Sequence, residues 1–167
     1  MDDAVLDLVE HALLARGIGC VRFNFRGVGM SGGSFDHGNG ETFDLRAVAG
    51  WARANKGATR LWLAGYSFGS QVVWSAATDL GPDRVWLIAP PIGRMSYPSQ
   101  GALAAPVDVF IGTADDFADL DGLDAWRRTA ARDVRVHTID GGDHFFSRTG
   151  RALAHALEAA ASEERHA

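Results

Sequence analysis

Apolar positions along this chain switch repeatedly between two spacings. Val5, Leu6, Val9, Leu13 and Leu14 recur every three or four residues, which predicts a helix that Gly17 ends. A strand-like run follows over residues 20–25, then a Gly/Ser-rich loop over 27–40 and a helix over about 41–55. Residues 59–64 read as a strand and 67–77 as the helix behind it. Further strands are predicted over 84–89, 106–112 and 134–139, with helices over 123–131 and 150–162. Strands that alternate with helices form a parallel sheet covered on both faces. The expected architecture is therefore a three-layer α/β sandwich, a mostly parallel sheet of about five strands. The near-continuous apolar run of 107–111, broken only by Asp108, suits a sheet buried on both sides.

Length and composition narrow the picture without changing it. The chain has 167 residues, read as one domain, 1–167, with neither linker nor internal repeat. A hydrophobic content of 47% with 22% charged residues belongs to a globular chain. A formal net charge of -5 with no basic cluster argues against a nucleic-acid partner. The acidic opening Met1-Asp2-Asp3 is unlike a signal peptide, and no apolar run approaches the ~20 residues that cross a bilayer, so the cytoplasm is the expected location. Cys20 is the one cysteine, which excludes an intrachain disulfide and reads as a buried thiol.

Candidate chemistry begins at Leu61-Trp-Leu-Ala-Gly-Tyr-Ser-Phe-Gly69, where a short apolar strand runs into Gly65-Tyr66-Ser67-Phe68-Gly69 and at once into a helix. That order is the signature of a strained turn that lifts a serine hydroxyl clear of the backbone, with glycines where neighbouring elements crowd it. A serine needs a base to take its proton and a carboxylate to orient that base. Asp115 follows the strand over 106–112, and His144 follows the strand over 134–139 within Gly141-Gly-Asp-His-Phe-Phe146. The order serine, acid, histidine and the placement after strands both fit a site at the carboxyl rim of a parallel sheet. Asp116, Asp119, Asp140 and Asp143 stand near enough in sequence to be rival acids.

Other motifs are weaker. Gly29-Met-Ser-Gly-Gly33 also has the glycine–serine–glycine pattern, but loop rather than helix follows, which assigns Ser31 to the loop. Gly27-Val-Gly-Met-Ser-Gly32 formally matches a dinucleotide fingerprint, yet no helix begins at its third glycine to meet a pyrophosphate. His37, beside Asp36, is the rival base; His11, His137 and His155 fall inside elements and read as structural. No histidine, cysteine or carboxylate cluster has metal-ligand spacing, so no metal is expected.

Taken together, Val21–Gly29, Leu63–Gly69, Ala89-Pro-Pro91 and Gly142-Asp-His-Phe-Phe146 make the chain resemble the small lidless bacterial α/β-hydrolases, a group of serine hydrolases related to dienelactone hydrolases. The resemblance implies Ser67 as nucleophile, Asp115 as acid, His144 as base and the Phe68 amide as one half of an oxyanion hole. It also exposes a departure. Members of the group carry two or three further strands and a His-Pro-x-Pro-x-x-Gly-Gly loop ahead of the first helix, and that loop supplies the second oxyanion amide. The missing strand belongs between those holding Phe23 and Leu63. The chain thus reads as an N-terminally shortened version, whose in-frame upstream DNA is expected to encode these parts.

The expected activity is hydrolysis of small acyl esters or thioesters, without a cofactor. The short span 91–105 leaves no room for a lid domain, so an open site is expected. Tyr66, Pro91, Met95, Phe145 and Phe146 are candidate lining for an acyl pocket, with plain core as the alternative for the aromatic residues. Peptidase or acyltransferase chemistry uses the same three groups. A non-catalytic scaffold with half an oxyanion hole is the reading from another class. The small acyl substrate is the one partner expected, apart from self-association through exposed strand edges.

Overall fold

The structure, a computed structural model, describes residues 3–101 and 103–163; Met1 and Asp2 of the acidic opening lie outside them. Helix α1 (Ala4–Leu14) comes first and α2 (Asn39–Lys56) second, followed by β1 (Trp62–Tyr66), α3 (Phe68–Leu80), β2 (Arg84–Ile88) and β3 (Val107–Gly112). Helix α4 (Leu120–Ala130), β4 (Val134–Ile139) and α5 (Gly150–Ser162) complete the order. The four strands pair in chain order, β1-β2-β3-β4, and every pairing is parallel.

Helices cover both faces of this sheet and separate the core into two layers. Val72, Trp74 and Ala77 of α3 and Leu123 of α4 pack with Val85, Leu87, Val107 and Val109 on one face. On the other, Val5, Val9 and Leu13 of α1 and Leu153 and Leu157 of α5 pack with Trp86, Ile88 and Phe110. Consecutive strand residues thus feed opposite layers, which is why β2 and β3 are buried along their whole lengths.

The expected strand over Cys20–Phe25 does not form, and the sheet has four strands rather than about five. Its side chains still alternate as a strand's do. Ile18 and Cys20 pack toward the α1/α5 layer, whereas Phe23 and Phe25 pack toward the α3 layer. What is missing is a partner. A strand is a ladder, and among the described residues nothing pairs with this segment or with the β1 edge that faces it. An apolar pattern prepares a segment for a sheet without supplying its neighbour.

Asp108, the polar interruption in β3, has a structural purpose. It is fully buried and accepts hydrogen bonds from Arg84 Nε at 2.7 Å and from the ring of His137, whose Nε2 lies 2.9 Å away. Arg84 also lies over the Trp62 ring, and His137 stacks on Phe110. Burial pushes the Asp108 carboxyl upward, but the hydrogen bonds from His137 and Arg84 outweigh it and hold the group below its ordinary value. The resulting stabilisation is complete above the unfolded carboxylate range, near about 4, and is lost as pH falls through the lower folded value. Urea unfolding at decreasing pH should show this acid-side loss. Asp108→Asn should be less stable at neutral pH, by about 3–5 kcal/mol because it strands Arg84, and flatter below about pH 4.

Candidate active site

Ser67 occupies the single residue between β1 and α3, and its backbone is strained there, with φ at 50° and ψ at -121°. The turn is held from several directions. The Ser67 amide donates to Ile88 O of β2 at 2.9 Å, and the Ser67 carbonyl accepts from the Ser70 hydroxyl. Ser70 is itself buried against the Tyr97 hydroxyl at 2.7 Å. Crowding at the turn is one-sided. A Cβ on Gly65 would collide with the Gly69 carbonyl and lie 2.7 Å from Ser70 N, whereas one on Gly69 would meet nothing within 4 Å. Of the two motif glycines, only the first is sterically required.

The loop after β3 carries Asp115 and the loop after β4 carries His144, both to the rim where β1 ends. Ser67 Oγ lies 2.8 Å from His144 Nε2. His144 Nδ1 faces both carboxylate oxygens of Asp115, at 3.1 and 3.0 Å. Asp115 and His144 are buried, at 5% and 6% exposure, so little water competes for their pairing. Asp115 Oδ1 also accepts the Phe117 amide at 2.8 Å. The two loops meet backbone to backbone, with Ala114 N donating to Gly142 O at 2.9 Å.

The carboxylates of three of the rival acids are engaged elsewhere. Asp119 caps α4 through Gly122 N, and Asp143 accepts the Ser147 amide, which holds its carboxyl below the ordinary range. Asp140 faces Thr113 Oγ1, and the carbonyl of Asp116 accepts from Arg94. Ser31 donates to the Asn24 carbonyl, and the His37 ring lies against Phe35, 4.7 Å between centroids. After the glycine loop no helix begins until Asn39. Among the described residues no group of three or more His, Cys, Asp or Glu stands where it could hold a metal ion.

Phe68 heads α3, so its amide belongs to the first turn, whose donors no helical carbonyl can reach. Its ring packs against Phe25 and Phe35. Tyr66 donates its hydroxyl to the His144 carbonyl at 3.1 Å, bracing the histidine loop against β1. Burial first, and then the nearby carboxylates of Asp3, Asp115 and Asp143, push the Tyr66 phenol up to about 12, so it stays protonated and remains a donor.

The candidate pocket residues divide. Phe145 is exposed, with its ring 5.3 Å from that of His144, and Met95 is also exposed. Pro91 is buried. Phe146, expected beside Phe145 in the pocket, is turned under it instead. At 3% exposure and with φ at 52°, it belongs to the α1/α5 core layer. The alternation that exposes Phe145 directs its neighbour inward. Sequence reasoning missed Phe117, which is 42% exposed and lies 4.5 Å from the His144 ring, with the Arg94 guanidinium above it. Its position two residues after Asp115 was the available signal.

This geometry has close relatives. The model of the alpha/beta hydrolase fold family matches residues 7–91. The chain belongs to that family. Among solved structures, this hydrolase-fold chain is similar to a serine hydrolase without a lid from Xanthomonas campestris, with 41% identity and a TM-score of 0.87, covering 95% of this chain and 72% of that one. It is also similar to an alpha-beta serine hydrolase homologue from Coxiella burnetii, with 31% identity and a TM-score of 0.90, over 96% of this chain and 77% of that one. An uncharacterized protein of Rickettsia prowazekii is 30% identical over 158 residues, 87% of this chain. The hydrolase-fold chain spans 66% of the length of that curated relative. Among the described residues, no helix is long and apolar enough to cross a membrane.

Proposed function

We propose that this protein is a serine hydrolase that cleaves small carboxylic esters or thioesters through an acyl-enzyme. The observation that carries the reading is the continuous line of polar atoms from Ser67 Oγ to His144 Nε2, 2.8 Å apart, and from His144 Nδ1 to the Asp115 carboxylate. As Ser67 Oγ attacks the substrate carbonyl carbon, His144 Nε2 accepts the hydroxyl proton and the carbonyl oxygen takes the negative charge. The Phe68 amide donates to that oxyanion, at a helix N-terminus whose dipole favours negative charge. Collapse expels the alcohol or thiol, which leaves with the proton from His144. Water then attacks the acyl-Ser67 carbonyl by the same steps, giving the carboxylic acid and restoring the hydroxyl.

Asp115 accepts the Nδ1–H bond throughout, which fixes the tautomer and stabilises the imidazolium that forms. None of these steps draws on a cofactor. Phe145 and Phe117, both exposed beside the His144 ring and 6.4 Å apart between centroids, offer an apolar surface to the acyl or alcohol part of the substrate. That surface supports an ester or thioester with an apolar portion.

A fluorophosphonate reporter tests the reading, because it phosphonylates only a serine activated by its base. The native chain and Ser31→Ala should label, and Ser67→Ala should not. Loss of labelling in Ser31→Ala alone, or none in a folded native chain, would overturn the assignment.

A further inference from the structure

The span of residues 91–105 connects β2 to β3 and, among its described residues, holds no helix. It is nevertheless fastened at several points. Trp126 Nε1 of α4 donates to Tyr97 O at 2.9 Å, and Trp74 Nε1 of α3 donates to Pro98 O at 2.8 Å. The Tyr97 and Trp126 rings also meet edge to face, 6.0 Å between centroids. Held by these anchors, Tyr97 is buried, and its hydroxyl stands 2.7 Å from Ser70 Oγ in the first turn of α3.

The directions of these bonds follow from counting protons. The Ser67 carbonyl can only accept, so the one hydroxyl proton of Ser70 points to it. Ser70 Oγ is then left as the acceptor, and Tyr97 must donate. Burial pushes the Tyr97 phenol up, which keeps that proton in place at neutral pH. The Ser70 amide donates to the same Ser67 carbonyl at 2.9 Å. Ser67 C=O and Phe68 N–H belong to one planar trans peptide unit, so fixing the carbonyl at one end aims the amide at the other. On the far side of Ser67, its own amide is tied to Ile88 O at 2.9 Å. Both peptides that flank the strained residue are therefore held, which is the condition for such a conformation to persist.

We propose that Ser70 and Tyr97 are positioning residues for the oxyanion donor. The relay from Tyr97 OH to Ser70 Oγ to Ser67 O fixes the peptide plane that directs the Phe68 N–H at the charge developing on the substrate oxygen. The span between β2 and β3 thereby acts as a brace for the turn that carries the nucleophile. The inference rests on the serine-hydrolase reading above, and it concerns the aim of one donor, not the proton transfer from Ser67 to His144.

The test is steady-state hydrolysis of 4-nitrophenyl butyrate by the native chain, Ser70→Ala and Tyr97→Phe, alongside inhibition by 1,1,1-trifluoro-2-hexanone. Ser67 Oγ bonds to the ketone carbonyl carbon as its proton passes to His144, and the carbonyl π pair becomes an oxyanion for the Phe68 amide. Removing an oxyanion donor costs about 10²–10³-fold, so misaiming one should lower kcat by about 10- to 100-fold in Ser70→Ala and about 3- to 10-fold in Tyr97→Phe. KM should stay within about twofold, and Ki for the ketone should rise by about the factor that kcat loses. The double variant should be no slower than Ser70→Ala alone, because Tyr97 acts through Ser70. The acid limb of the kcat/KM profile, which reports protonation of the base, should not move. Unchanged kcat in a folded Ser70→Ala, or a raised KM with kcat intact, would overturn the proposal. A displaced acid limb would also overturn it, by assigning the effect to the base. If Ser70→Ala melts below the assay temperature, the near-isosteric Tyr97→Phe decides by the same criteria. A native chain that neither cleaves the ester nor binds the ketone would remove the serine-hydrolase reading, and this inference with it.

Discussion

Ser67→Ala is expected to lower turnover of a short-chain nitrophenyl ester by about 10⁶-fold, some 8 kcal/mol of transition-state stabilisation. His144→Ala should cost nearly as much, because among the described residues the hydroxyl, 2.8 Å from its base, has no other side chain hydrogen-bonded to it to take its proton. The two losses should not add. Once either partner is gone the pair no longer acts, so the double variant should be about as slow as Ser67→Ala alone. Steady-state kinetics on the three variants measures this directly. Additive losses would mean that serine and histidine act separately, against the line of contacts described above. Residual activity over water should survive in all three, from substrate binding and the Phe68 amide.

The second large effect is on stability. The carboxyl end of β3 touches the loop after β4 with no side chain between them. A Cβ on Gly112 would overlap the Gly142 carbonyl and stand 3.0 Å from its Cα. Both obstacles are backbone, which a rotamer change cannot move aside. Gly112→Ala should therefore lower stability by about 3 kcal/mol or more, in the range reserved for steric conflict inside a fold. At roughly 2–4 °C per kcal/mol, Tm should fall by about 10 °C. Gly69→Ala is the control. With open space around it and a helical position, it should shift Tm little or raise it slightly. Gly112 and Gly142 stand three and two residues before Asp115 and His144, so the same collision should also reduce fluorophosphonate labelling. A melting curve and a labelling gel decide both points.

Much of this arrangement was legible in the residues. The helices and the four paired strands appear as apolar spacing because each is decided by its own burial, and β4 and α5 fall over the residues expected. Ser67, Asp115 and His144 could be picked out because each follows a strand in a parallel sheet, and the topology brings strand ends to one rim. The choice among neighbouring aspartates was not local. Asp143 and Asp119 differ from Asp115 in where their loops point, which depends on contacts such as Gly112 against Gly142. Pairing was equally hidden. The residues over 20–25 carry a strand's pattern, but a ladder needs two members. The Arg84–Asp108–His137 cluster joins three strands that no reading of one of them relates, and Phe117 acquires its meaning only where it meets His144.

The φ of 50° at Ser67 carries a further consequence. L-residues enter this region at a penalty of order 1–3 kcal/mol, which glycine largely escapes. By thermodynamics alone the favoured occupant of that turn is the amino acid with no hydroxyl at all. The fold thus keeps the hydroxyl that faces His144 where conformational preference would discard it, so backbone ease and the proposed chemistry pull in opposite directions at this one position.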